Sequence, residues 1–240
     1  MEEWIKVNKM LSGRVRLLEF IVAMSGTSPY RVARELERKG FVDNYRTIII
    51  DYIRLTDKKW LLKNRGIREP LYRILKTEEE EKRPKRKIIQ VNYDYIVPLF
   101  MKVCGIENEQ LINKTKEAIL EMVSAWKLSV KEATETYKLI SKEMDFESFF
   151  SAIIIAAVMN SEKISLKEKE EVILRITNRF LTKILKNPLY LAKLLYMFNL
   201  TLQRKEDFEK ISAGIAETFT KAMIEAFAIL LKPLGFQKEK

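Results

Sequence analysis

The sequence predicts a mainly α protein in two parts joined by a charged linker. Residues 1–76 read as three helices and a two-stranded hairpin, residues 77–92 as the linker, and residues 93–240 as an all-α helical bundle. Apolar residues recur at helical spacing along most of the chain. Ser, Asp, Gly and Pro fall where helices must start and stop. Most of the excess positive charge lies in the first part, with 17 Lys and Arg against nine Asp and Glu before residue 77, +8 of a net +11 for the chain.

In the first part, one helix runs from an N-cap at Ser12 to Met24, with Val15, Leu18, Ile21 and Val22 on its apolar face. A second opens at Ser28 with Pro29 in its first position, turns Val32, Ala33 and Leu36 inward, and stops at Gly40. A third follows an N-cap at Asp43 and carries Ile48, Tyr52 and Leu55 inward. Two strands, Trp60–Leu62 and Leu71–Leu75, then flank the turn-rich, basic KNRGIREP. The linker, TEEEEKRPKRKIIQVN, passes from four glutamates to a Lys/Arg/Pro cluster. Beyond it, helices are expected at about 94–103, 108–127, 129–143, 145–160, 165–186, 188–203 and 205–231.

The segments SPYRVARELERKG, YRTIIIDYIRL and KKWLLKNRGIREPLYRIL, in that order, resemble the winged helix-turn-helix transcription regulators of bacteria and archaea. The resemblance covers residues 14–75, about a quarter of the chain. It implies that helix 44–55 enters the major groove of double-stranded DNA and that a basic wing at 63–70 lies on the backbone or in the minor groove. On that helix the exposed candidates are Asn44, Tyr45, Arg46, Thr47, Ile50 and Arg54. Arg46 suits a bidentate guanine contact, and Asn44 suits adenine or a phosphate. Ser28, Tyr30 and Arg31 stand at a helix start, where amides and hydroxyls hold phosphate. The wing candidates are Lys63, Asn64, Arg65 and Arg68. Two features of the third helix resist this scheme. Asp51 sets a negative charge near the phosphate face, and Ile49, Ile50 and Ile53 exceed what its core side needs. The N-terminal segment (Trp4, Ile5, Val7), thymine methyls and a partner protein are three destinations for those isoleucines.

The last helix carries Phe208, Ile211, Ile215, Phe219, Ala222 and Ala226 in one stripe, which serves either as bundle core or as a homodimer seam suited to a symmetric operator. An effector pocket of the tetracycline-repressor type would draw on Trp126, Tyr137, Asn178, Tyr190, Tyr196, Asn199 and Thr201. No pattern names a small-molecule or protein effector. With no histidine and Cys104 as the single cysteine, imidazole chemistry, Cys/His zinc sites and internal disulfides are excluded. No glycine-rich phosphate loop or carboxylate cluster suggests an enzyme or a cofactor. The longest uncharged apolar run, Phe149 to Ser161, is too short to cross a membrane, and the N-terminus resembles no signal peptide, so a cytoplasmic protein is expected. Abundant Lys and Glu beside four Gln match a thermophile's composition. The competing readings are a winged-helix adaptor that binds protein alone and a non-catalytic DNA-binding protein of replication or plasmid maintenance.

Overall fold

The computed structural model describes residues 1–24, 26–76, 87–126 and 145–186. Among them are nine helices and one two-stranded antiparallel sheet, so the protein is mainly α. No helix among the described residues is long and apolar enough to cross a membrane.

The chain opens with a helix the sequence reading left out, α1 (Glu2–Leu11). Glu2 and Glu3 sit in its first turn, where the helix dipole favours acids, and Trp4, Val7 and Leu11 fall on one buried stripe. Ser12 closes α1 rather than capping the next helix, and Gly13, at φ 109°, turns the chain into α2 (Arg14–Met24). Every residue of α2 from Leu17 to Met24 is buried. The helices α3 (Pro29–Arg38) and α4 (Tyr45–Thr56) follow as expected, except that Asn44 and not Asp43 caps α4, accepting the Arg46 amide at 2.9 Å.

The next segment differs from expectation. Residues Lys58–Arg65 form a helix, α5, where a strand and the start of a wing were expected. Asp57 caps it by accepting the Trp60 amide at 3.1 Å, and Gly66 ends it in the left-handed conformation at φ 64°. A basic wing at 63–70 is therefore absent. The hairpin instead pairs β1 (Tyr72–Lys76) with β2 (Lys87–Val91), in the register Tyr72↔Val91 to Lys76↔Lys87. The end of the expected linker is thus a strand, and residues 77–86 lie outside the described residues. Thr27 adds a bridge on the far side of β2, donating to the Ile89 carbonyl at 3.1 Å and accepting its amide at 2.8 Å.

Four further helices are described: α6 (Tyr93–Val103), α7 (Glu109–Trp126), α8 (Phe146–Asn160) and α9 (Leu166–Lys186). They match four of the seven expected; the segments at 129–143, 188–203 and 205–231, and with them the stripe from Phe208, lie outside the described residues. Asp145 caps α8 through the Ser148 amide at 3.0 Å. Ser165 and Glu168 open α9 with a reciprocal box, Glu168 accepting the Ser165 amide at 2.8 Å while Ser165 Oγ accepts the Glu168 amide at 3.4 Å.

The first 92 residues and the bundle share one core. Helix α8 is buried from Phe146 to Met159, and Phe20 of α2 meets Phe146, Phe150 and Phe149 at centroid distances of 4.7, 5.8 and 6.4 Å. Trp4 packs on Phe100, Phe146 and Phe150 at 4.9, 5.7 and 6.3 Å. Such edge-on and tilted pairs contribute beyond their buried area. Polar ties cross the same boundary: Ser12 Oγ accepts the Phe146 amide at 3.1 Å, and Asn8 Oδ1 accepts the Glu147 amide at 2.8 Å. A continuous set of buried side chains runs from Trp4 to Ile176.

Candidate nucleic-acid interface

The inward positions of α4 are taken by Ile48, Tyr52 and Leu55, all buried, so its outer face is presented by Arg46, Ile50 and Ile53. These fall at i, i+4 and i+7, one ridge of a helix. Beside it stands the start of α3, where Pro29 occupies the first turn and Ser28 precedes it. Ser28 is the N-cap residue, yet its hydroxyl makes no cap bond within the helix.

Two aromatic rings join the helices. Tyr30 and Tyr45 meet edge to face at 5.6 Å, and the Arg34 guanidinium lies 4.1 Å from the centre of the Tyr45 ring. Arg34 Nε also donates to the Tyr30 hydroxyl at 3.0 Å, and the Tyr45 amide donates to Glu37 Oε1 at 3.1 Å. Stacking of this kind fixes the angle between α3 and α4 at the surface.

These elements enclose an open concavity of about 650 Å³. Ser28, Pro29 and Tyr30 form one wall, Tyr45, Arg46, Ile49 and Ile50 the other, and Lys87 of β2 one end. Three stretches separated by up to 60 residues thus converge on one surface. Arg46 and Lys87 pair with no carboxylate among the described residues, which leaves two cations at the rim uncompensated.

Of the residues expected to form a site, Ser28, Tyr30, Tyr45, Arg46 and Ile50 are brought together here. Arg31 and Thr47 are exposed on the same two helices. The Asn44 carbonyl oxygen is committed to capping α4. Arg54 lies beside Asp51, at 3.8 Å, and over the Trp60 ring at 5.5 Å. The four residues expected in a wing belong elsewhere. Lys63, Asn64 and Arg65 are on α5, where Asn64 donates to the Trp60 carbonyl at 2.8 Å and Arg65 lies 5.6 Å from the Trp60 ring. Arg68 reaches back to Glu3 of α1, its amide donating at 2.9 Å. Lys87, Pro29, Ile49 and Arg34 were missed by sequence reasoning. The alternation of Ile89 and Val91 was the available signal for the strand that carries Lys87.

The negative charge of Asp51 is turned inward. Its Oδ2 lies 2.6 Å from Arg16 Nη2, and Arg16 Nη1 also reaches Glu19 Oε2 at 3.0 Å. Glu19 has no exposed surface, and its Oε1 finds no partner, like the hydroxyls of the nearby Tyr52 and Tyr72. Burial pushes the Glu19 carboxyl up to about 7 despite the adjacent Arg16 guanidinium. Burial likewise pushes the Cys104 thiol up to about 12, which makes it an inert core side chain. Among the described residues no cluster of His, Cys, Asp and Glu could hold a metal ion. Of the residues that an effector pocket would draw on, Asn178 is exposed and the others lie outside the described side chains.

No protein-family model, no curated protein and no solved structure matches the chain.

Proposed function

We propose that the chain is a winged helix-turn-helix protein that binds double-stranded DNA and acts as a transcriptional regulator. The observation that carries this is the convergence of the α3 start, the outer face of α4 and Lys87 at the loop end of the β1–β2 hairpin on one exposed, cation-rimmed concavity. The order α2, Thr27 bridge, α3, α4, α5, β1, β2 resembles a winged helix with the hairpin as the wing and one added helix, α5, between α4 and the wing. Under this reading α4 lies in the major groove with Arg46 toward guanine, and the amides and hydroxyls around Ser28 and Tyr30 hold a phosphate. Lys87 places positive charge at the loop end of the wing, and residues 1–76, which supply the rest of the concavity, hold most of the net charge of the chain.

A two-fold dimer would present two copies of this surface to a symmetric operator, and the stripe from Phe208 is the proposed seam.

Gel retardation of a mixed-sequence duplex at two salt concentrations tests the reading. Retention that falls steeply as salt rises is expected, because phosphate contacts release counterions. Arg46→Ala is expected to weaken binding to a preferred site by about 1–3 kcal/mol and to relax sequence choice. Arg65→Ala, on α5 outside the concavity, is expected to leave retention unchanged. Equal losses in the two variants would show that α4 is not the reading helix. The alternative, an adaptor that binds only protein, is favoured by the exposure of Ile50 and Ile53, at 48% and 57%, and would be sustained by no retention at low salt.

A further inference from the structure

The exposed isoleucines of α4 have a chemistry that the charges around them do not explain. Ile48, Tyr52 and Leu55 already fill the inward side of the helix, and Ile49 is half-buried against the core. Ile50 and Ile53 continue the ridge that begins at Arg46, and each leaves about half of its surface to water. The N-terminal segment does not cover them, since Trp4 and Val7 are buried elsewhere, beside α6 and α8 for Trp4. A surface that gripped phosphate alone would gain nothing from two β-branched apolar side chains beside a free guanidinium, because phosphates offer them no apolar partner.

Base edges do. In the major groove the C5 methyl of thymine is the one apolar group that a base pair presents, and branched aliphatic side chains pack on it. We infer that Ile50 and Ile53 read thymine methyl groups, so that the preferred duplex places A·T pairs beside the guanine contacted by Arg46. This rests on the DNA-binding reading above and specifies its sequence class. Four residues separate Arg46 from Ile50, a rise of about 6 Å along the helix. That is close to two base-pair steps where the helix axis follows the groove. Ile50 lines the concavity together with Tyr30, Tyr45 and Ile49, so an apolar group entering it meets apolar and aromatic side chains. Lys87 and Arg46 at the rim supply the positive potential that brings a duplex to this face rather than an apolar peptide.

The test compares two forms of one duplex. A preferred site is first selected from a random-sequence duplex pool with the full-length chain. It is then synthesised with thymine and with deoxyuridine, which pairs identically and lacks only the methyl. The chain is expected to bind the thymine duplex about fourfold more tightly for each methyl that is buried. The double variant Ile50→Ala/Ile53→Ala is expected to lose that preference while keeping salt-sensitive binding, and both side chains point outward, so its melting temperature should stay that of the parent. Arg46→Ala should weaken binding to both duplexes and keep the preference. Equal binding of the two duplexes by the parent chain would overturn the inference and leave the DNA-binding reading standing. A preference that persists in the double variant would overturn the assignment to these residues. Retention of neither duplex at low salt would overturn the DNA reading itself and leave the two isoleucines to a protein partner.

Discussion

Replacing Trp4 with alanine is expected to destabilise the protein by about 3–5 kcal/mol, against the 5–15 kcal/mol typical of a whole domain. Trp4 has no exposed surface, and it is surrounded by Phe100, Phe146 and Phe150 from two other helices. Truncation leaves a void that these large rings cannot close without breaking their own contacts, so transfer and cavity terms add. Trp4→Phe separates packing from polarity. The indole Nε1 is buried without a partner among the described residues, and phenylalanine removes that donor along with part of the volume. Its expected cost is below about 1.5 kcal/mol. Urea unfolding followed by circular dichroism measures both. An alanine variant within 1 kcal/mol of the parent would mean that α1 is not an integral part of the core.

The second large effect is a pH dependence centred on Glu19. Its carboxyl titrates at about 7 in the folded protein, against an ordinary value of 4.5, because burial disfavours the charged form. The folded state therefore binds the proton more tightly than the unfolded state. The contribution of Glu19 to stability is greatest below pH 4.5, falls as pH rises towards 7, and then levels off. The full difference is about 3 kcal/mol. Arg16, which stays charged through this window, and Asp51 face the carboxylate, while Tyr52 and Tyr72, pushed upward by burial, stay neutral. The chain contains no histidine, so no imidazole titrates in that window. Unfolding midpoints measured from pH 5 to pH 8 should decline for the parent chain and stay nearly flat for Glu19→Gln. A parallel decline in both would assign the effect to other groups.

How much of this was readable beforehand depended on where each signal lay. Helix α3 was placed correctly because its marks are local: Ser28 and Pro29 at the start, Gly40 just beyond the end. Helix α4 was recovered through Ile48, Tyr52 and Leu55, while its cap was displaced by one residue because Asp43 and Asn44 are both good caps. Helix α5 was mistaken for a strand and turn because Gly66 and Pro70 were taken as hairpin punctuation. Gly66 in fact terminates a helix, and Asp57 had marked its beginning. Strand β2 went unseen because its partner lies across the ten residues 77–86, whose charge hides the strand that follows. Helix α1 carried its own pattern in Trp4, Val7 and Leu11, but its apolar face makes sense only against α6 and α8, far along the chain. The same distinction holds for the candidate site. Tyr30, Arg46 and Ile50 were recognised from their helices, whereas Lys87 reaches the concavity only through long-range pairing.

The contact between Phe20 and the three phenylalanines of α8 bears on how the protein can be divided. Here a fragment ending at Val91 would uncover one side of Phe20 and most of Trp4, because residues 146–150 supply their neighbours. An N-terminal fragment that keeps this packing must therefore include α8, although more than 50 residues separate that helix from the hairpin. The same coupling means that whatever shifts α8 also pushes on α2, whose Arg16 holds Asp51 of α4.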